Sequence, residues 1–303
     1  MPEESTRTIY AAMIANIAIG VAKFFGAAIS GSSAMLSEGI HSVVDSINEV
    51  LLLYGLKRSK KEPDEDHPLG HGQEIYFWSL VVAVLIFALG GGISIYEGFK
   101  SFHDSRESTN AIVSYGVLSI AAVFEGTALF ISVQEFNQER SDNNINFWKA
   151  LRRSKNPTTF VVIFEDTAAL LGIVVAILGV FLSELTGTIF YDGLASIIIG
   201  VILTIVAIVL VIETKGLLIG ESAFPEVRDS IKNIVVKDTS VYKVESPITL
   251  QLGPTDILLA LSIEFQDDLT SDQIEVAIRR IKADIWASHH EVKRIFIEAR
   301  SIN

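Results

Sequence analysis

Cysteine is absent from the 303 residues. Disulfides and thiolate metal ligands are therefore excluded, and any transition-metal site must be built from His, Asp and Glu. Three methionines are the only sulfur, which disfavours Cu(I) as a ligand of the chain. Charge is also scarce, at 20% of residues, and it leans negative: 24 Lys plus Arg face 36 Asp plus Glu, a net of −12. That balance argues against a nucleic-acid partner and is compatible with binding cations.

Apolar residues are abundant. They make up half the chain, with a mean hydropathy of +0.43, too apolar for an ordinary soluble or a disordered protein. They gather into runs of about 20, the length that crosses a hydrocarbon layer of roughly 30 Å. The pattern predicts an all-α polytopic membrane domain of six transmembrane helices, at 9–29, 34–56, 77–99, 112–133, 158–182 and 193–212. The first is too long for a cleavable signal and no small-residue cleavage site with a soluble continuation follows it, so it is expected to stay.

Lys and Arg set the orientation. The connection after the second span carries Lys57, Arg58, Lys60 and Lys61, and the one after the fourth carries Arg140, Lys149, Arg152, Arg153 and Lys155; the opposite side has only Lys100 and Arg106. Both long loops and both termini are thus expected on the cytoplasmic face. With no organelle-targeting segment evident in the composition, the expected location is a prokaryotic inner membrane.

Beyond the sixth span the character changes, dividing the chain into a transport domain at 1–215 and a small cytoplasmic domain at 216–303. In the latter, 225–236 reads as a helix opened by Pro225, where the missing N–H costs little. The segments 248–252 and 257–265 read as strands joined around Gly253 and Pro254. Then 270–288 is amphipathic, with Ile274, Ala277, Ile278, Ile281 and Ile285 on one stripe, and 292–299 is a closing strand. The order α-β-β-α-β predicts a small α+β domain with helices on one face of a sheet, of a size that gains from dimerisation.

Ionisable groups inside spans cost about 2.5 to 3.5 kcal/mol each at a helix centre, so they commonly face a polar cavity and mark function. Glu38, His41, Asp45 and Glu49 lie 3, 4 and 4 residues apart on one face of the second span, with Asn48 beside the stripe. An imidazole followed one turn later by a carboxylate is half of a site for Zn²⁺ or a similar divalent ion. The fifth span adds Glu165 and Asp166, and the fourth Glu125. If the second and fifth helices face each other, His41, Asp45 and Asp166 converge, with Glu165 as a candidate fourth ligand. The competing reading pairs His41 with Asp45 within the helix and leaves Glu125 and Glu165 to Lys23 or to the membrane surface. One lysine is too little for so many acids. In the loop after the second span, Asp64, His67 and His71 are 3 and 4 residues apart among Pro68, Gly70 and Gly72, a spacing that suits a borderline divalent cation or a solvated acidic turn.

The stretches SGSSAMLSEGIHSVVDSINEVLLL, DEDHPLGHGQE, FEDTAALLG, DGLASIIIG and GLLIGE resemble, in order and spacing over essentially the whole chain, the cation diffusion facilitator family of zinc and related metal transporters. FEDTAALLG is most similar to the zinc transporter 9-like branch. The resemblance implies a homodimeric, proton-coupled exporter in the lipid bilayer rather than an enzyme, with six spans per subunit and a metallochaperone-like C-terminal domain. It implies a tetrahedral site from two residues four apart on each of the second and fifth spans. His41, Asp45 and Asp166 match three of these; the fourth position is Val162, which cannot ligate. Glu165 is the candidate replacement, although it points about 100° away from Asp166 on an ideal helix; a local distortion, a water or Glu125 are alternatives. Asp64, His67 and His71 match the family's loop metal site. The last strand, RIFIEA, has no histidine, and His289 and His290 precede it, so the C-terminal domain is expected to dimerise without the binuclear site of its relatives.

The implied mechanism is alternating access of one divalent ion against protons. Zn²⁺ is the first expectation; carboxylate in place of a second imidazole makes the site harder and admits Mn²⁺, Fe²⁺ or Co²⁺, and Cd²⁺ is a further candidate ion. Neutral His41, with an ordinary pKa of about 6.5, suits proton exchange, and adjacent Glu165 and Asp166 are a candidate coupling pair, with Glu125 and Glu49 auxiliary. Two other classes stay open at this point: a membrane-anchored metal sensor or scaffold, and a proton-coupled transporter of an organic cation.

Overall fold

The computed structural model describes residues 3–103, 111–139 and 146–302; Arg106 and Arg140, counted in the charge asymmetry, lie outside them. The chain divides into two units: one takes the chain up to Lys57 with Phe77–Thr214, the other Arg58–Tyr76 with the chain from Lys215 on.

The first unit is built from long helices. They are α1 (Glu3–Ser30), α2 (Ser33–Ser59), α3 (Glu74–Leu85), α4 (Ile93–Ser101), α5 (Ala111–Glu139), the short α6 (Phe147–Arg153), α7 (Pro157–Thr186) and α8 (Phe190–Ile219). A π-helical stretch, Ile86–Gly92, runs α3 into α4 without a break in helical backbone, so Glu74–Ser101 is one rod. Among the described residues, four runs are long and apolar enough to cross a membrane: Glu74–Ser101, Ala111–Gln138, Pro157–Thr186 and Phe190–Ile219; Asn16–Ser30 is a shorter apolar helix. Helix α2 falls below that mark because Glu38, Asp45 and Glu49 interrupt its apolar run.

The side chains are arranged inside out relative to a water-soluble bundle. Ile112, Phe130 and Ile212 are 80%, 69% and 61% exposed, whereas Lys23, Glu38 and Asn48 are 0% exposed. Apolar atoms on the outside and charge in the middle is the distribution expected when the surrounding solvent is hydrocarbon. This is a helical membrane domain.

Local sequence explains where the helices stop and how closely they approach. Gly31 (φ 70°) and Gly187 (φ 67°) end α1 and α7 in the left-handed region that a side chain disfavours. At the other end of α7, Asn156 caps the first turn, its side chain accepting from Thr158 N at 3.2 Å, with Pro157 next. Asp192, near the start of α8, is 2% exposed and ties the start of α2 to it. Its carboxylate accepts from Ser33 N at 2.5 Å, Ala34 N at 3.4 Å, and the hydroxyls of Ser32 at 2.5 Å and Ser33 at 2.8 Å. An anion there meets otherwise orphaned N–H groups at the positive end of α2. Alongside, the Ser196 hydroxyl donates to Ser94 O at 2.7 Å and lies 2.6 Å from Ser37 Oγ, joining α8, α4 and α2. Glycines let the backbones of the π-helical stretch, α4 and α8 touch: a Cβ on Gly200 would sit 2.6 Å from Ile95 Cγ1 and 2.7 Å from Gly91 O, and one on Gly98 would sit 2.6 Å from Gly193 O.

The second unit is α+β. It contains α9 (Pro225–Val236), β1 (Val241–Val244), β2 (Ile248–Gly253), β3 (Asp256–Phe265), α10 (Ser271–Ser288) and β4 (Val292–Ala299). Strand β3 is central. Antiparallel β1 and β2 pair with its two halves, and β4 runs parallel to it over Ile257–Ile263. Alternate residues of β3 (Ile257, Leu259, Leu261, Ile263) are buried against Ile231 and Val235 of α9 and Ala277, Ile281 and Ile285 of α10, which is the period-2 face meeting two 3.6-period stripes. Thr270 and Gln273 form a reciprocal capping box at the start of α10.

The expected α-β-β-α-β order needs one correction, the added strand β1. Its four residues, VYKV, include the charged Lys243 and pair through an irregular register, so no alternation in the sequence announces it. The loop Arg58–Tyr76 packs within this unit: a Cβ on Gly72 would strike Leu252 O at the end of β2.

Because Gly200 has backbone against it, Gly200→Val is expected to lower the stability of the full-length protein by about 1–3 kcal/mol through overpacking. Thermal unfolding in detergent measures this. An unchanged midpoint would mean that α8 and its neighbour do not approach this closely.

Candidate metal centres

The polar face of α2 carries the first centre. His41 is 1% exposed, and its Nδ1 lies 3.2 Å from Asp45 Oδ1. Neither ring nitrogen of His41 has a hydrogen-bond partner, and the same holds for Asp45 Oδ1, Asn48 Oδ1 and Asp166 Oδ2, all buried. Buried polar atoms without partners are rare and costly, and each calls for an explanation. Asn48 Nδ2 on α2 donates a hydrogen bond to Glu165 Oε1 on α7. The polar face of α2 is therefore turned toward α7.

The remaining buried acids are accounted for. Lys23 Nζ lies 3.1 Å from Glu38 Oε2 and 3.7 Å from Glu125 Oε1, and donates to Ser42 Oγ at 2.9 Å. A Cβ on Gly172 of α7 would collide with Glu38 Oε1, so glycine is what leaves room for that carboxylate. Glu49 accepts from Asn16 Nδ2 at 2.7 Å. The lysine thus takes Glu125 and Glu38, while Glu165 goes to an amide. Unsatisfied atoms remain on His41, Asp45 and Asp166, besides Asn48 Oδ1, Glu38 Oε1 and the hydroxyls of Ser94, Ser101 and Ser114.

The second centre is in the loop. Asp64 Oδ1 is 3.1 Å from His67 Nδ1, Asp64 Oδ2 is 3.5 Å from His71 Nε2, and the two imidazole rings stand 4.3 Å apart. Their ligand atoms lie within 4.8 Å of one another, the one such trio of His, Asp and Glu among the described residues; the intramembrane ligand candidates are not drawn together that tightly. Gly70, at φ 84°, turns the backbone between the two histidines. Lys61 Nζ at 2.8 Å, then the His67 N–H at 2.8 Å, hold the Asp64 carboxyl well below the usual carboxylate range. Two imidazoles and a carboxylate form a donor set that suits Zn²⁺ and other borderline divalent ions.

Sequence spacing singled out His41, Asp45, Asp166 and the loop trio as candidates. It noted Asn48 without giving it a partner, and it missed Glu38 as the nearest acid to Lys23 and Asp192 as the anchor of α2. The signal for Asn48 was its place seven residues after His41, on the same face.

Apolar helices that enclose unpaired imidazole and carboxylate groups, joined to a small α+β unit, define an integral membrane protein that handles cations. The chain belongs to the cation efflux family, whose transmembrane domain profile matches residues 9–219. It is 31% identical over 243 residues to the mouse proton-coupled zinc antiporter SLC30A9, mitochondrial, a match covering 80% of this chain and 43% of that protein. It is 28% identical to metal tolerance protein C4 of Arabidopsis thaliana, over 94% of this chain and 62% of the relative. The manganese efflux system protein MneP of Bacillus subtilis is 23% identical over 97% of this chain and 95% of its own length. The chain thus spans less than half the length of its mammalian relatives.

Lys23→Met leaves Glu38 and Glu125 without their cation, and breaking a buried pair from one side costs about 3–5 kcal/mol. The full-length variant is expected to unfold at a markedly lower temperature, with partial recovery in Lys23→Met/Glu38→Gln. Equal stability of the single variant and the parent protein would show that the two acids are neutralised by other means.

Proposed function

We propose that this protein exports a divalent metal ion, Zn²⁺ first, in exchange for protons by alternating access. It works as a homodimer with six spans per subunit, α1 and α2 being the two that hydropathy alone does not count. The observation that carries the proposal is the set of buried ligand atoms on His41, Asp45 and Asp166 that make no hydrogen bond, His41 and Asp45 having only each other within ion-pair distance, in a bundle whose other acids largely have partners. A relative described as a proton-coupled zinc antiporter and another as a manganese efflux protein support it. The Lys and Arg of the two long loops put these loops, and the C-terminal unit, on the cytoplasmic side. The near full-length match to a bacterial relative supports a prokaryotic cell membrane.

On the cytoplasmic side, neutral His41 and ionised Asp45 and Asp166 take the ion, and since ligands must be deprotonated, binding releases protons. Rearrangement of the helices opens the site to the far side, where reprotonation weakens coordination and frees the ion. One imidazole among carboxylates suits Zn²⁺ and also admits Mn²⁺, Fe²⁺ and Co²⁺. The loop trio holds a second ion at the C-terminal unit.

Liposomes containing the full-length protein test this. Zn²⁺ flux driven by a pH gradient is expected, and Asp45→Ala and Asp166→Ala are each expected to abolish it while the protein remains folded. Stoichiometric binding without flux would favour a metal sensor, metal-independent proton exchange with an amine would favour an organic-cation carrier, and flux retained in both variants would remove the site. Separately, His67→Ala/His71→Ala is expected to lower the bound Zn²⁺ by one ion per chain in isothermal titration; an unchanged stoichiometry would eliminate the loop site.

A further inference from the structure

The tetrahedral set lacks a member, because Val162, one turn before Asp166 on α7, has no ligand atom. The acid nearest in sequence, Glu165, is turned about 100° from Asp166 around the helix, and the oxygen it presents to α2 already accepts the Asn48 amide N–H. Asn48 is itself fully buried, and its Oδ1 has no partner. A carboxylate only accepts hydrogen bonds, so the amide must offer Glu165 its NH₂ and present its carbonyl oxygen on the other side. His41, Asp45 and Asn48 are four and three residues apart on one face of α2, so that oxygen lies on the same stripe as the two ligands before it.

We infer that Asn48 Oδ1 is the fourth ligand of the transported ion, and that Glu165 is a positioning residue that turns the amide toward the ion. This rests on the proposed His41, Asp45 and Asp166 site. Helix α2 then supplies three ligands and α7 one. One nitrogen and three oxygens is a hard set, so the site accepts Mn²⁺ as well as Zn²⁺, and Mn²⁺ depends more on the amide because oxygen ligands suit it better than imidazole does.

Metal binding to the full-length protein, in a His67→Ala/His71→Ala background that silences the loop, tests this with Mn²⁺ and Zn²⁺ as probes. Asn48→Ala is expected to weaken Mn²⁺ at least as much as loss of an outer-shell partner does, about 10- to 100-fold, and Zn²⁺ less. The metal K-edge spectrum should lose one oxygen neighbour. Circular dichroism and thermal unfolding of Asn48→Ala matching those of the parent protein should show that the fold survives, so that the loss reports the ligand. Glu165→Leu should weaken binding, and Glu165→Gln, which keeps an acceptor for the amide, should weaken it less than Asn48→Ala does. Affinity unchanged in Asn48→Ala, or a larger loss in Glu165→Gln than in Asn48→Ala, would overturn the assignment while leaving the three-residue site standing. If Asp45→Ala and Asp166→Ala also bind both metals as the parent does, the site itself falls.

Discussion

Every polar atom placed among the spanning helices must find its partner inside the protein, since hydrocarbon offers none. That constraint organises the first unit. Asp192 satisfies the N–H groups that begin α2, Ser196 ties α2 to α4 and α8, and Lys23 gathers Glu38, Ser42 and Glu125 from two helices. Each bond also fixes where α2 stands along its axis and how it is rotated. With α2 held at its start by Asp192 and on its flank by Lys23, the stripe of His41, Asp45 and Asn48 is aimed at α7 before any ion arrives. Preorganisation of this kind lowers what binding must spend on ordering.

The two ligand sets solve opposite problems. In the loop, Asp64 is partly exposed and shared between Lys61 and two imidazoles. The loop's candidate ligand atoms already lie within 4.8 Å of one another. Between α2 and α7 the candidate ligands are not gathered that tightly, so in the proposed cycle an ion would draw the helices together to be coordinated. A site whose closure requires helix movement is suited to a cycle in which the ion is taken up and released. A site that is gathered in advance is suited to retaining it. The loop lies within the α+β unit, with Gly72 against the end of β2, so an ion held by the proposed loop site would sit in that unit.

Much of this was legible in the sequence, and the limits have physical causes. Runs of about 20 apolar residues gave the helices of the first unit because hydrophobic length has one meaning in a bilayer. The helices 225–236 and 271–288 and three of the four strands followed from period and punctuation. What stayed hidden depends on contacts far apart in the chain. Strand β1 exists because β3 offers it an edge, which VYKV does not reveal. Periodicity places Glu38, His41 and Asp45 on one face of α2 but leaves the rotation of α1 and α5 undetermined, so the choice of Glu38 and Glu125 by Lys23, with Glu165 left to Asn48, needed the packed bundle. The membership of the loop Arg58–Tyr76 in the α+β unit is invisible to spacing for the same reason.

The charge held in the bundle gives the proposed exchange against protons a physical basis. Glu38, Asp45, Glu49, Glu125, Glu165 and Asp166 are acids on α2, α5 and α7, and Lys23 is the cation bonded among them. A divalent ion and the lysine together offset only part of that excess. An interior of low dielectric does not tolerate the remainder as free charge, so protons reside there throughout the cycle. When the ion leaves, its two positive charges leave with it, and the aspartates that held it face the same penalty. Protons entering as the ion departs restore the balance without any separate coupling device. In this view the stoichiometry of exchange is set by the charge of the cargo and by the number of ionised ligands it abandons.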